Sequence, residues 1–392
     1  MQLGSFIKSI PDKYKRVVVY NTYSPKVDSI RFIAIISVIL CHVFVHTNTY
    51  ATYKIHNHEI EDYWIFNLVQ GVFLFFVLSG YLLATTFFRS EKEISAPVLK
   101  KYYLRRLTRL EPPYLLILIF SFCVLVFLKH KYEFSFLFPH FISSVFYSSN
   151  LVYPEVVMPL VLPLAWTLEM EMQFYIILPF LMFLYKKNKT MSRIIAIAII
   201  IILRIVLIKY KVFTVSNMGY SFSYFVAGIL LADIIQNTDV TKFKKNNYKI
   251  WYSLLGIICI LLLWRIDWQE RYYDHKPDFM PFICILFFYL ILSKNIFSPF
   301  FTNKWVSFIG GMCYSLYLTH FIIISFFGKF TLQIKFTEYY LINYCIQVIL
   351  LLPLVLIGGF LFYRFIELPT MNKDWVKKIF KKNDTSTTLK EG

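Results

Sequence analysis

Apolar runs close to the length needed to cross a bilayer recur from one end of this chain to the other, with only short polar breaks between them. Backbone in lipid has to satisfy its own hydrogen bonds, which leaves helices and closed barrels as the only options. Barrel strands would be segments of roughly ten alternating residues. These runs are continuous and approach the minimum of about 17 residues for a spanning helix. Composition agrees, with 58% hydrophobic and 16% charged residues and a mean hydropathy of +0.57. A soluble domain has about 45–50% apolar and about 25% charged residues. The expected fold class is all-α, a polytopic integral membrane bundle.

The runs divide into about ten spans, near residues 30–46, 64–88, 113–128, 163–185, 194–208, 220–235, 250–264, 279–292, 305–327 and 339–362. Residues 1–29 then form a cytoplasmic tail, 30–370 the membrane domain, and 371–392 a basic, disordered tail. Lys13, Lys15 and Arg16 lead into mixed polar sequence rather than a cleavable apolar core, so the first span is expected to serve as the insertion signal. Lys and Arg collect in alternate loops: before residue 30, then at 89–109, 186–193, 242–249 and 294–304, and after residue 364. The positive-inside rule then puts both termini in the cytoplasm. Basic inner loops on an anionic leaflet account for the net charge of +18, with no nucleic-acid partner required.

Cys41, Cys123, Cys259, Cys284, Cys313 and Cys345 are scattered singly through apolar stretches and read as small hydrophobes. His46, His56 and His58 cluster in or near the first outer loop without a Cys or acidic partner set, so no metal is expected. No nucleotide-binding glycine motif is present.

Ionisable residues inside spans are costly in lipid and mark cavities or function. The first span holds Arg31 and His42. Eleven residues, about three helical turns, put both on nearly the same face and roughly 16 Å apart along the membrane normal. The plainer readings are an arginine snorkelling to the interface and a structural histidine. The fourth span carries Glu169 and Glu171 near Trp166 and Tyr175. Two residues apart, the carboxylates point to different faces. Glu169 suits a wet interface, whereas Glu171 is expected at the depth of His42, orienting its imidazole or binding acceptor hydroxyls. In the loop 89–109, Arg106 and Arg109 share a face if the stretch is helical. Together with Arg105 they offer forked donors for phosphate beside a break at Pro112–Pro113.

Several of these segments, in order from residue 31 to 369, resemble those of the acyltransferase family 3 transmembrane enzymes. Arg31-x10-His42 resembles that family's first-helix Arg–His pair, and Phe75-Phe76-Val77-Leu78-Ser79-Gly80 its Phe-Phe-x-x-Ser-Gly signature. Arg105-Arg106-Leu-Thr-Arg109-Leu-Glu-Pro112 resembles its Arg-Arg-x-x-Arg-x-x-Pro segment. Trp166-Thr-Leu-Glu-Met-Glu171 resembles its Trp-Ser-Leu-x-x-Glu segment. Tyr314-Ser-Leu-Tyr-Leu-Thr-His320 and Phe365-Ile-Glu367-Leu-Pro369 resemble later landmarks. Phe73 stands where the family often has Asp, and Thr167 replaces the usual Ser. The expectation is a stand-alone membrane domain without the extracytoplasmic hydrolase-like domain that some relatives carry.

The resemblance implies a membrane O-acyltransferase of the bacterial cytoplasmic membrane. It would move an acyl group, acetyl first of all, from cytoplasmic acyl-CoA to a hydroxyl of a cell-surface glycan or lipid-linked saccharide. No cofactor would be bound permanently. Arg31, Arg105, Arg106 and Arg109 would hold the donor phosphates, and Ser79 and Gly80 would let the thioester approach, unless they form a small-residue helix contact. His42, kept neutral by burial, would act as base with Glu171 beside it, and an acyl-histidine intermediate is a second route. Trp166, Tyr175 and His320 would line the acceptor side. The competing class is a secondary transporter of a polar or anionic solute, although no inverted repeat is visible.

Overall fold

The computed structural model describes residues 2–14, 16, 24–50, 64–90, 94–156, 158–207, 218–238, 246–265, 279–337 and 339–371, and among them every regular element is helical. Among the described residues seven helices are long and apolar enough to cross a membrane: Pro25–Thr49, Trp64–Arg89, Ala96–Leu128, Pro163–Lys187, Met218–Asn237, Cys313–Thr331 and Tyr340–Thr370. Shorter apolar helices cover Phe134–Val145, Lys249–Trp264 and Met280–Leu292. The protein is an all-α polytopic membrane protein.

The main helices, in chain order, are α1 (Gln2–Lys13), α2 (Pro25–Tyr50), α3 (Gly71–Arg89), α4 (Ala96–Cys123), α5 (Phe134–Val145), α6 (Trp166–Lys187), α7 (Lys189–Ile202), α8 (Met218–Asn237), α9 (Asn246–Arg265), α10 (Met280–Leu292), α11 (Lys304–Gly311), α12 (Cys313–Thr331) and α13 (Tyr340–Phe362). Three boundaries differ from expectation. The stretch taken as an N-terminal tail contains α1, and α2 starts at Pro25 rather than at residue 30. The expected loop 89–109 is mostly helix, because α4 runs through Pro112 and Pro113. Each proline removes an N–H from the helical ladder. Next to this site the Tyr314 hydroxyl of α12 donates to the Leu110 carbonyl at 2.7 Å, tying α4 to α12 there. The expected span 305–327 is split at Met312 into α11 and α12. Asn303 caps α11 by accepting from the Trp305 and Val306 N–H groups, and Gly310 brings α11 against the Asp28 backbone. The tail after Met371 lies outside the described residues.

The segment expected outside, between the third and fourth long spans, turns back into the bundle. Helix α5 runs down beside α4, with Phe122 against Phe134 and Phe141 and the Tyr114 hydroxyl donating to the Ser144 carbonyl at 2.9 Å. The contact with Tyr114 is made at the far end of α5, whose twelve residues span about 18 Å. Non-helical backbone at that depth is tolerated only when protein covers it. The turn is so covered: Tyr147, at φ 54°, stacks on Tyr114, and Glu169 accepts from the Ser149 and Asn150 N–H groups at 3.3 and 3.0 Å. Gln173 donates to the Tyr147 carbonyl and to Asn150 Oδ1 at 3.2 and 2.8 Å. Helix α6 therefore starts well inside the bundle.

Two apolar cores result. One joins α3, α6, α8 and α10, and the other joins α4, α5, α12 and α13. Helix α2 belongs to both, giving Val27, Ile30, Ala34 and Val38 to the first and Ile35, Ile39 and Val43 to the second. At about 100° per residue, Arg31 and His42 fall on the line between these two stripes. The seam between the cores is thus where the polar face of α2 points.

Within the first core, α3 and α8 touch backbone to backbone. A Cβ on Gly80 would meet the Phe225 carbonyl, and one on Gly228 the Val77 carbonyl, while Phe73 stacks on Tyr224 at 4.5 Å. Gly80 therefore serves the small-residue helix contact, not the approach of a thioester. Gly228→Leu is expected to overpack this contact, costing about 1–3 kcal/mol and lowering the melting temperature in detergent. Unchanged melting would contradict the close approach.

Candidate active site

At the outer end of the seam, His42 Nδ1 lies 2.8 Å from the Val38 carbonyl. A carbonyl only accepts, so Nδ1 carries the proton and Nε2 presents its lone pair. His320 on α12 repeats this, with Nδ1 2.9 Å from the Leu316 carbonyl. The two imidazoles meet edge to face with centroids 5.1 Å apart, and Phe321 closes the other side of His42 at 5.8 Å. His42 is half-buried, whereas His320 is fully buried with Nε2 lacking a partner.

One turn inward from His320, the Tyr317 hydroxyl donates to the Leu164 carbonyl. Its single proton is thereby used, so the Thr167 hydroxyl, 2.5 Å away, is the donor to Tyr317. Thr in place of Ser keeps the hydroxyl that this link requires.

The inner end of the seam is a layer of guanidinium and carboxylate groups. Arg31 donates to Asp28, three residues before it on α2 and so on the same face. Arg16, from the segment after α1, reaches the same Asp28 oxygen at 3.5 Å. Arg109 lies 3.8 Å from Glu367, which is fully buried and accepts from the Ser315 N–H and hydroxyl at 3.1 and 2.6 Å. Ser79 donates to Glu171, and the Tyr175 hydroxyl bonds to the same carboxylate. Arg106 lies over the Tyr102 and Tyr175 rings at 4.1 and 5.0 Å. Glu171 is within electrostatic range of Arg31. Burial, then the charges of Arg109 and Arg31, push the Arg16 guanidinium below the usual arginine range, against the pull of Asp28.

The structure thus brings together Arg31, Arg106, Arg109, Ser79, Glu171 and Tyr175 at one end, and His42 and His320 at the other. Arg105 is half-buried one position along α4 from Arg106. Four expectations change. Glu171 lies level with Arg31 rather than His42, because the re-entrant turn makes α6 begin deep in the bundle. Orientation of His42 comes from the Val38 carbonyl instead. Glu169, expected at a wet interface, is fully buried and caps the re-entrant turn. Trp166, expected on the acceptor side, is buried in the first core with its ring edge-on to Phe76 at 6.0 Å. Tyr175 belongs to the guanidinium end.

Sequence reasoning gave no role to Asp28, Arg16 or Tyr317. The i,i+3 spacing of Asp28 to Arg31 is a readable signal, whereas nothing in sequence links Arg16 or Tyr317 to the site. Among the described residues no group of His, Cys, Asp and Glu could hold a metal ion. His56 and His58 lie outside the described residues.

The two glutamates should separate in mutants. Glu169→Gln sets an NH2 group or a single oxygen against two backbone donors, an expected loss of about 1–3 kcal/mol that appears as poor yield and a lower melting temperature. Glu171→Gln keeps an acceptor for Ser79, so folding should hold while acyl transfer falls. The opposite pattern in thermal melts and transfer assays would reverse the two assignments.

Residues 24–364 match the family model described as an acyltransferase domain. A Staphylococcus aureus (strain MSSA476) protein named "Putative O-acetyltransferase SAS0844" is 28% identical over 403 residues, covering 94% of this chain and 59% of the relative. O-acetyltransferase OatA of Staphylococcus aureus (strain NCTC 8325 / PS 47) is 23% identical over 380 residues, covering 90% of this chain and 58% of the relative. The chain thus spans less than two thirds of the length of these relatives. No solved structure matches it. With a family match running from the start of α2 to the end of α13, over the helices that carry both ends of the seam, the chain belongs to the acyltransferase-domain family of multi-pass membrane proteins.

Proposed function

We propose that the chain is an O-acetyltransferase of the bacterial cytoplasmic membrane that moves an acetyl group from acyl-CoA to a hydroxyl of a cell-surface glycan or lipid-linked saccharide. In this reading both termini and the guanidinium layer face the cytoplasm, and the shorter helices bring the number of spans to about ten. The observation that carries it is the imidazole lone pair of His42 at the outer end of the helix whose inner end holds Arg31. The names of the relatives support acetyl as the group and oxygen as its acceptor.

Donor phosphates meet Arg31, Arg106 and Arg109 from the cytoplasm, because planar guanidiniums suit phosphate oxygens. Arg105 flanks them on α4. The pantetheine arm, on the order of 15–20 Å long, covers the roughly 16 Å from Arg31 to His42. His42 Nε2 takes the proton of the acceptor hydroxyl, whose oxygen attacks the thioester carbonyl. The C–S bond breaks as the ester forms, and the CoA thiolate receives the proton from the His42 imidazolium. Tyr175 and Glu171, with Ser79, hold the donor end beneath Arg106. His320 packs on the His42 ring and narrows its orientation, as Tyr317 and Thr167 do for the wall below.

Membranes carrying wild type should label surface glycan from acetyl-labelled acetyl-CoA. His42→Ala, at equal expression and melting temperature, should lose about 10²–10⁴-fold of that transfer. Equal labelling by the variant removes His42 from the chemistry. Solute uptake without thioester consumption would instead favour a transporter.

A further inference from the structure

Arg16 precedes the family match, which begins at residue 24, yet it lies in the inner layer of the seam. The stretch just before it is tied down at Tyr14 and Asp12. The Tyr363 hydroxyl donates to the Tyr14 carbonyl at 3.1 Å, the Tyr14 ring packs edge-on against Phe360 at 5.6 Å, and Arg364 lies over it at 5.1 Å. Just before, Lys304 pairs with Asp12 at 2.9 Å on the surface. The Arg16 side chain is only 16% exposed, and those of Arg31 and Arg109 are 10% and 31% exposed.

Around these three guanidiniums stand Asp28 and Glu367, and beside them lies the Arg106–Tyr175–Glu171 group, whose carboxylate is within electrostatic range of Arg31. Asp28 is shared between Arg31 and Arg16, and Glu367 is shared between Arg109 and two donors of Ser315. Arg16 Nε and Arg109 Nε are buried with no hydrogen-bond partner. With Arg106 and Glu171 counted, four cations face three anions, and with buried forked donors left over they make a place that an anion would neutralise. Arg16 comes from outside the helices that build the rest of the site.

We infer that Arg16 is a phosphate-binding residue, completing with Arg31 and Arg109 the grip on the phosphates of the CoA donor. The inference rests on the acyl-CoA reading of this site. A lipid headgroup carries the same phosphate chemistry, but the cluster sits between the two cores, not on the lipid-facing surface, and this favours the donor. Loss of Arg16 weakens donor binding and leaves the acyl-transfer step, about 16 Å away along α2, unchanged.

The test uses the full-length protein in detergent, titrated with CoA by calorimetry, and membranes assayed for transfer from acetyl-CoA. Arg16→Gln should weaken CoA about tenfold and raise KM for acetyl-CoA to match, with kcat within about twofold of wild type. Arg16→Lys keeps the charge without the fork and should fall between, about threefold weaker. It also serves if Arg16→Gln melts early. Lys304→Gln, which cuts the surface tie of the same segment, should bind CoA as wild type does. CoA binding unchanged in both Arg16 variants overturns the inference while leaving the donor reading intact. Wild type that neither binds CoA nor consumes acetyl-CoA overturns both. Weakened binding of phosphatidylglycerol micelles with CoA binding intact assigns the phosphate to lipid and overturns the donor role.

Discussion

A guanidinium inside an apolar bundle has to be paired, and Arg31 sits on the one face of α2 that neither apolar core covers. Asp28, one turn earlier on the same face, supplies the first partner. Pairing alone does not end the matter, because a carboxylate in such a place also needs donors. Arg16 answers Asp28, and Arg109 and Ser315 answer Glu367. Each partner draws in an element from elsewhere in the chain: the segment after α1, the middle of α4, the start of α12 and the end of α13. The seam is held open by this chain of charges, and the two cores can close on either side without meeting across it.

The re-entrant turn shows the same accounting for backbone groups. Helix α5 descends beside α4 and ends on a polar stretch, Ser143 to Asn150, at a depth where water is scarce. Glu169 takes two of its N–H groups, and Gln173 donates to one of its carbonyls. Tyr114 fills a further carbonyl and stacks on Tyr147. With so many donors and acceptors fixed to α4 and α6, this turn is a wall of the seam, not a surface loop. It also sets the depth of α6, and through α6 the level at which Glu171 meets Ser79.

Much of this was readable in the sequence wherever helical periodicity alone decides. The Arg31–His42 spacing, the shared face of Arg106 and Arg109, and the membrane class all follow from 3.6 residues per turn and from the cost of polar groups in lipid. The level of Glu171 was not readable. It depends on where α6 begins, and that is set by tertiary contacts of a segment whose apolar helix α5 is too short to span and whose turn is polar. Pro112 and Pro113 read as a break because sequence shows the lost N–H groups but not Tyr314 on a helix two hundred residues away. Gly80 could serve a thioester or a neighbouring helix, and only the position of Gly228 decides between them. The pairing of His42 with His320 joins helices from opposite ends of the chain, which one sequence without an alignment does not connect.

The division of the seam into two ends has a consequence for how a reaction could be ordered there. At the inner end, charged side chains are tied to one another, so on the proposed reading a donor's phosphates enter a network that already holds its geometry. The two imidazoles at the outer end are each fixed by a carbonyl one turn back on their own helix and carry no carboxylate partner. A histidine held this way keeps its tautomer and its aim without a charge beside it. The His320 and Phe321 rings flank that imidazole edge to face. On the proposed reading, binding strength and reactivity fall to different residues on one helix, separated by about three turns. A donor could be held firmly at one end while its reactive carbon stays mobile enough at the other to meet an acceptor from outside.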